Sequence, residues 1–241
     1  MTQLTFHAPG GYYHLPRRIA FGDGVVAAPG FEIVHATFFN PLPFAQGLDA
    51  AVAHLKALGR PVAALCGAEL RSPKPFTNAG FGEFNKTYVA KLEQLGVRAD
   101  GVTPTTRSNV APVLAAPAEV VLYAFSYSIP SPRKEKTFVA SGAADVDDNG
   151  PVAAGDNSPE GIRTKARFVW GELAGVMNNL GVDPASATAT NFYTAEALNA
   201  NLLKIMHSEG IHGARWYYSL PPIEGLSFEV DVRCCYKEEW I

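Results

Sequence analysis

The feature that most constrains this chain is that it runs twice through the same order of elements. In the first pass, Tyr12 to Phe21 reads as an extended segment. A turn at Gly22-Asp23-Gly24 and a second strand, Val25 to Ala28, follow. Phe31 to Phe39 carries the β-branched and aromatic residues of a third strand. Leu48, Ala51, Val52, Leu55 and Leu58 recur at helical spacing and stop at Gly59. Pro61 to Leu70 predicts a buried strand, and Phe81, Phe84, Tyr88, Leu92 and Leu95 one face of a second helix that ends at Gly96. Strands from Thr105 to Val110 and from Glu119 to Ser126 close the pass.

Ser128 to Lys136, with two prolines and then a charge run, predicts the linker. After it, Thr137 to Gly142 reads as a strand and Asp147-Asp148-Asn149-Gly150 as a hairpin turn. Ser158-Pro159-Glu160 has the N-cap and N1 proline of a helix start. Behind it, Ile162, Ala166, Val169, Leu173, Val176 and Leu180 form one stripe that Gly181 closes. Thr188 to Thr194 is a strand, and Leu198, Leu202, Ile205 and Met206 mark a second helix ending at Gly210. Strands from Arg215 to Leu220 and from Leu226 to Arg233 finish the pass. The separations of matching landmarks (Gly59 and Gly181, Gly96 and Gly210, Arg107 and Arg215) shrink steadily, as shorter loops in the second half would give. The expectation is an α+β protein of two β-β-α-β-α-β-β units, residues 1–128 and 129–241.

With 241 residues the chain is long enough for two such units, and 47% apolar against 18% charged residues is a globular composition. A net charge of −3 lacks the electrostatic footprint of a nucleic-acid binder. No apolar run approaches the ~20 residues of a membrane span, and the first residues lack the basic and apolar regions of a secretory signal. Cys66, Cys234 and Cys235 are an odd set with an adjacent pair, which is not a disulfide framework. The expectation is a reduced, cytoplasmic protein with neither nucleic acid nor membrane as partner. No Cys/His/Asp cluster has metal spacing, and no glycine-rich stretch has the Lys-Ser/Thr context of a phosphate loop.

In the last strand Phe228, Val230 and Val232 alternate with Glu229, Asp231 and Arg233, so one face belongs under helices and the other is charged. The corresponding first-half stretch, Val120 to Phe125, is apolar on both faces and must be covered on both. Two helices per unit cover one side. The other must meet a second sheet, within the chain or across subunits, and sheet-to-sheet clefts are where a ligand would sit.

These residues resemble the RidA/YjgF family of enamine and imine deaminases, whose fold is like the trimeric chorismate mutase. Phe138-Val139-Ala140-Ser141-Gly142 is similar to the family's strand ending in Ser-Gly-Gln, with Ala143 at the glutamine. Gly213-Ala214-Arg215, Leu220-Pro221 and Phe228-Glu229-Val230-Asp231-Val232 are similar to its Pro-Ala-Arg, its Leu-Pro and its closing glutamate strand. In the first half the likeness rests on Gly11-Tyr12-Tyr13, Gly22-Asp23-Gly24-Val25-Val26 and Arg107-Ser108-Asn109-Val110, with Glu119 near the glutamate strand. Pro29-Gly30 stands where Ser-Gly is usual. Among tandem relatives the chain resembles the 2-amino-5-chloromuconate deaminase type and, more distantly, the chorismatases.

The resemblance implies sheets packed face to face in a trimeric or pseudotrimeric barrel, a homo-oligomer with a trimer favoured, and no cofactor. It further implies a small anionic organic acid from aromatic degradation, of the 2-aminomuconate kind, hydrolysed to the keto or hydroxy acid and ammonium. Arg215 would hold the substrate carboxylate, for which a guanidinium offers a planar two-pronged fork. Glu229 would aim or activate water and shuttle a proton to the departing nitrogen. Ser141 and Gly142 would supply donors beside the substrate, and Arg107 and Asn109 would bind substrate or serve an interface. The plainer readings are an Arg215 ion pair with Glu229 or Asp231, and a solvated strand acid at Glu229. Asn191, Asn199 and Asn201 are further polar candidates, and Trp216-Tyr217-Tyr218 reads as packing. The rival functions are a carboxylate-binding or chaperone-like protein that does not catalyse, and a chorismatase-like hydrolase.

Overall fold

The computed structural model describes residues 3–16, 20–196, 206 and 210–241. The helix expected from Leu198 to Gly210, with Asn199 and Asn201, lies outside the described residues apart from Met206 and Gly210. In chain order the elements are β1 (Thr5–His7), β2 (Tyr12–Leu15), β3 (Gly24–Ala27), β4 (Phe31–Pro43), α1 (Phe44–Ala57), β5 (Leu65–Arg71), α2 (Asn78–Gln94), β6 (Thr106–Pro112) and β7 (Val121–Pro130). There follow β8 (Phe138–Ala144), the short hairpin β9 (Val146–Asp147) and β10 (Gly150–Pro151), α3 (Pro159–Leu180), β11 (Ala189–Tyr193), β12 (Ala214–Tyr217), β13 (Ser219–Leu220), β14 (Glu229–Cys234) and β15 (Lys237–Trp240).

Two sheets result. One runs β13-β6-β5-β7-β4-β15 and the other β1-β2-β3-β8-β14-β11-β12. Each contains the same run of four strands: β4, β7, β5 and β6 in one correspond in order and sense to β8, β14, β11 and β12 in the other. The first two junctions are antiparallel and the third parallel. Segments also cross over. β3 pairs with β8, while β13 and β15 pair with β6 and β4.

The outer faces are apolar because the helices cover them. Leu48, Ala51 and Leu55 of α1 pack on Val34, Ala36, Leu70 and Leu122. The α3 stripe packs on Phe138, Phe228, Val230 and Val232, each such buried side chain contributing ~1.5–3 kcal/mol. Ser158 caps α3 by accepting from the Gly161 amide at 3.2 Å, and Gly181 ends it with φ +66°. The inner faces meet each other. Tyr12, Val25 and Ala27 of one sheet touch Ile33 and Cys66 of the other, and a polar layer of Glu69, Ser108, Asp231 and Arg233 lies beside them.

Three expectations are corrected, and one strand was not expected. Pro61 to Ala64 is not strand: Val62–Ala64 is a 3₁₀ turn, and β5 begins at Leu65. Ser128 to Pro130 is not linker, because these residues pair with Ile33, Glu32 and Phe31 at the end of β7, where a proline costs no interior ladder bond. The strand expected from Arg215 to Leu220 splits at Tyr218. Its first part stays beside β11, while Ser219 and Leu220 pair with Pro112 and Ala111 of the other sheet. Finally, β15 has no alternation to announce it. It is held by Glu239, which accepts from the Tyr127 hydroxyl at 2.6 Å and lies 3.0 Å from His54 Nε2.

Candidate active site between the sheets

The pairing of β8 with β14 sets Val230 opposite Ala143 and Val232 opposite Ala140, so two residues, Ser141 and Gly142, face Asp231 alone. This is a β-bulge. Strict alternation would send Ser141 and Gly142 to opposite faces. The bulge instead leaves Ala140 and Ala143 both against the α3 layer and turns Ser141 and Gly142 both toward a cavity of about 310 Å³. Arg107 and Asn109 of β6, Glu229 of β14, Phe21 and Asp23, and Glu172 and Leu173 of α3 complete its walls, with Ile223 and Leu226 from the crossing segment.

Arg107 is 3% exposed. Its guanidinium lies over Phe21 at 4.4 Å and Tyr88 at 4.8 Å, with Phe81 at 5.3 Å and Phe84 at 5.9 Å. Burial among these rings brings its pKa down to about 10, against the pull of Tyr88 and Glu229, so it stays charged at neutral pH. Its Nη1 is buried without a hydrogen-bond partner, and so is Asn109 Nδ2. The Asn109 Oδ1 accepts from Ser72 Oγ at 2.8 Å. A buried donor left unmade costs ~1–3 kcal/mol, more when charged, and these two stand on alternate residues of one strand at the same cavity.

Glu229 is buried, and a β-carbon at position 142 would collide with its carboxylate. Burial pushes its pKa well above the usual carboxylate range, and the Asp231 charge adds to this. Arg71 and Arg107 pull the other way. The cavity thus holds a permanent cation and a reluctant anion, a pairing suited to gripping a carboxylate while delivering a proton.

Of the residues expected at the site, Arg107, Asn109, Ser141, Gly142 and Glu229 meet at this cavity. Arg215 does not. β11 separates its strand from that of Glu229, its side chain is 40% exposed, and it pairs with Glu238 at 3.4 Å. Ser141 is engaged: its hydroxyl donates to Gly22 O at 2.6 Å and accepts from the Arg107 amide at 3.0 Å, tying the two sheets together. Asn191 lies outside the cavity and donates its Nδ2 to Asp231, and Glu119 is exposed. Phe21, Asp23 and the ring box around Arg107 join the site without having been expected there. The stripe Phe81, Phe84 and Tyr88 was legible as a helix face. Its composition, aromatic rather than aliphatic, was the signal that it faces a guanidinium as well as a core.

The profile of a family described as "2-aminomuconate deaminase CnbZ" matches residues 4–239. The chain belongs to this deaminase family. A 2-amino-5-chloromuconate deaminase of Comamonas testosteroni is 37% identical over 252 residues, covering 99% of both chains. CnbZ family membership agrees with a hydrolase acting on a C–N bond. A chorismatase crystal structure aligns with TM-score 0.53 and 10% identity over 93% of this chain and 77% of that one, a likeness of fold alone. Among the described residues, no helix is long and apolar enough to cross a membrane.

Proposed function

We propose that this chain takes an enamine or imine carboxylate of the 2-aminomuconate type into the cavity between its sheets and hydrolyses it to the keto acid, or its hydroxy tautomer, and ammonium. The observation that carries this reading is the pair of buried, unpartnered donors, Arg107 Nη1 and Asn109 Nδ2, beside a buried carboxyl group at Glu229. A substrate carboxylate supplies the acceptors those donors lack, in the charge-assisted form that is strongest. Glu229, whose burial favours the protonated form, gives its proton to the enamine carbon to form the iminium. As carboxylate it then takes a proton from the water that adds to the C=N carbon. Glu229 returns that proton to the carbinolamine nitrogen, the C–N bond breaks with ammonia leaving, and the carboxylate takes the hydroxyl proton as the C=O forms, which restores the protonated Glu229. Such acid–base work is worth ~10²–10⁴-fold.

Two finer readings belong with it. The matching strand order of the two sheets supports tandem RidA-like units, 1–128 and 129–241, that exchange strands. The exposed Trp216, Tyr218 and Leu114 near the β12 edge support a homo-oligomer, with a trimer as the arrangement expected of a barrel of such sheets. Three free thiols are consistent with a cytoplasmic setting.

The test is ammonia release from 2-aminomuconate generated in place, for the wild type and for Arg107→Ala. Turnover by the wild type with a loss of about 100-fold or more in kcat/KM for the variant is expected. A wild type that is thermally stabilised by small carboxylates yet releases no ammonia would make it a binding protein instead.

A further inference from the structure

A second carboxyl group lies beside the cavity without lining it. Glu229 and Asp231 occupy alternate residues of β14, so both side chains leave one face of the strand, their Cα atoms roughly 7 Å apart. They enter the layer between the sheets, where they are 3% and 4% exposed. Asp231 is fixed there. Its Oδ1 accepts from Asn191 Nδ2 at 2.8 Å and its Oδ2 from the Tyr193 hydroxyl at 2.8 Å. Ser108 of β6 stands between the two acids. Its hydroxyl oxygen lies 3.4 Å from the β-carbon position of Gly142, the spot against which the Glu229 carboxylate rests. On its other side it shares with Asp231 a void of about 10 Å³, the size of a single water.

We propose that Asp231 is a positioning residue for proton handling at Glu229: fixed between Asn191 and Tyr193, it decides which of the two acids carries the proton, and Ser108 with one water links them. The inference rests on the reading of Glu229 as the acid of the site. The charged and titratable groups around Asp231 are Arg233 and Glu229 on its own strand, Glu69 and Arg71 on β5, and Tyr193 on β11. His35 on β4 faces the same layer, while Arg107 on β6 bears on Glu229 from the α2 side of its sheet. Burial and Glu69 push Asp231 up to about 6, against Arg233, Ser108 and Tyr193. Above that pH it is a carboxylate, and its charge opposes a second one at Glu229.

The test follows Glu229 directly, by infrared difference titration of the protonated carboxyl band in protein labelled with ¹³C-glutamate, the band assigned by its loss in Glu229→Gln. Asp231→Asn should lower the pH at which Glu229 releases its proton by about one unit, with the matching limb of kcat/KM moving equally. Tyr193→Phe removes one donor from Asp231 and lets it neutralise at higher pH, so it should move Glu229 in the same direction while keeping both acids. Ser108→Ala removes another donor from Asp231, so it should move Glu229 in the same direction as Tyr193→Phe and, by breaking the link, lower kcat by about tenfold. Loss of activity in Asp231→Asn or Tyr193→Phe with an unmoved Glu229 band would overturn the proposal and reduce Asp231 to a structural role. The band reports the coupling even if the wild type releases no ammonia, so failure of the deaminase reading would be seen separately.

Discussion

The Glu229 carboxylate fills the space that a β-carbon at residue 142 would need. A Gly142→Ala variant therefore displaces the end of a flexible side chain rather than backbone. It should fold and melt within a few degrees of the wild type while kcat/KM drops about 100-fold, since a shift of ~1 Å in a reacting group is enough for that. Thermal melts beside steady-state ammonia release check both halves of the statement.

Arg107 is held by rings and leaves a donor unpaired. Replacing it with methionine removes an incompletely paired buried charge, so Arg107→Met should match or exceed the wild type in urea denaturation and yet lose ligand binding. Arg107→Lys keeps the charge without the fork and should raise KM by about 10–100-fold.

Arg215 tests the alternative directly. Its pairing with Glu238 is at the surface, where an ion pair contributes ~0–1 kcal/mol. Arg215→Ala should keep its turnover within about threefold of the wild type and lose less than about 1 kcal/mol of stability. A collapse of kcat/KM in this variant would move the carboxylate site away from Arg107.

His35 gives stability a pH dependence of known sign. Burial, with Arg233 adding, lowers its pKa to about 4 although Glu69 lies 3.5 Å away. The unfolded imidazole titrates near 6.5, so the unfolded state binds the extra proton and this contribution, full above that pH, is lost as pH falls through 6 toward 4. Asp231, raised from 3.8 to about 6, works oppositely over part of that window. The comparison of wild type with His35→Gln isolates the imidazole. Between pH 4 and 6 the slope of unfolding free energy against pH should be smaller in the variant by about 1.4 kcal/mol per unit.

Lys165 and Asp145 form a fully buried pair at 3.3 Å. Asp145 also accepts from the Ser227 and Phe228 amides at 3.1 Å, just ahead of Glu229. Lys165→Met should cost about 3–5 kcal/mol, because it strands a buried carboxylate. Ammonia release should fall as the head of β14 loosens.

Much of this was legible beforehand. The α3 stripe with its Ser158 cap and Gly181 stop, and the division of β14 into an apolar and a charged face, follow from periodicity and capping chemistry alone. Motif likeness picked out five residues that meet at the cavity. It put Arg215 first, whereas Arg107 is the arginine that lines the cavity: the two stand at like places in the sequence, and only the contact between sheets distinguishes them. The bulge at Ser141-Gly142 could not be read either. It depends on how β8 registers against β14, some 90 residues later, and alternation within β8 has no way to express that.

Because β3 lies against β8 while β15 returns to β4, each sheet is completed by a strand from the far end of the chain. Arg107 leaves the ribosome more than a hundred residues ahead of Glu229 and must wait, ringed by its aromatics, until the opposite wall arrives. Splitting the reading frame after residue 128 should yield two insoluble fragments, rescued only by producing them together.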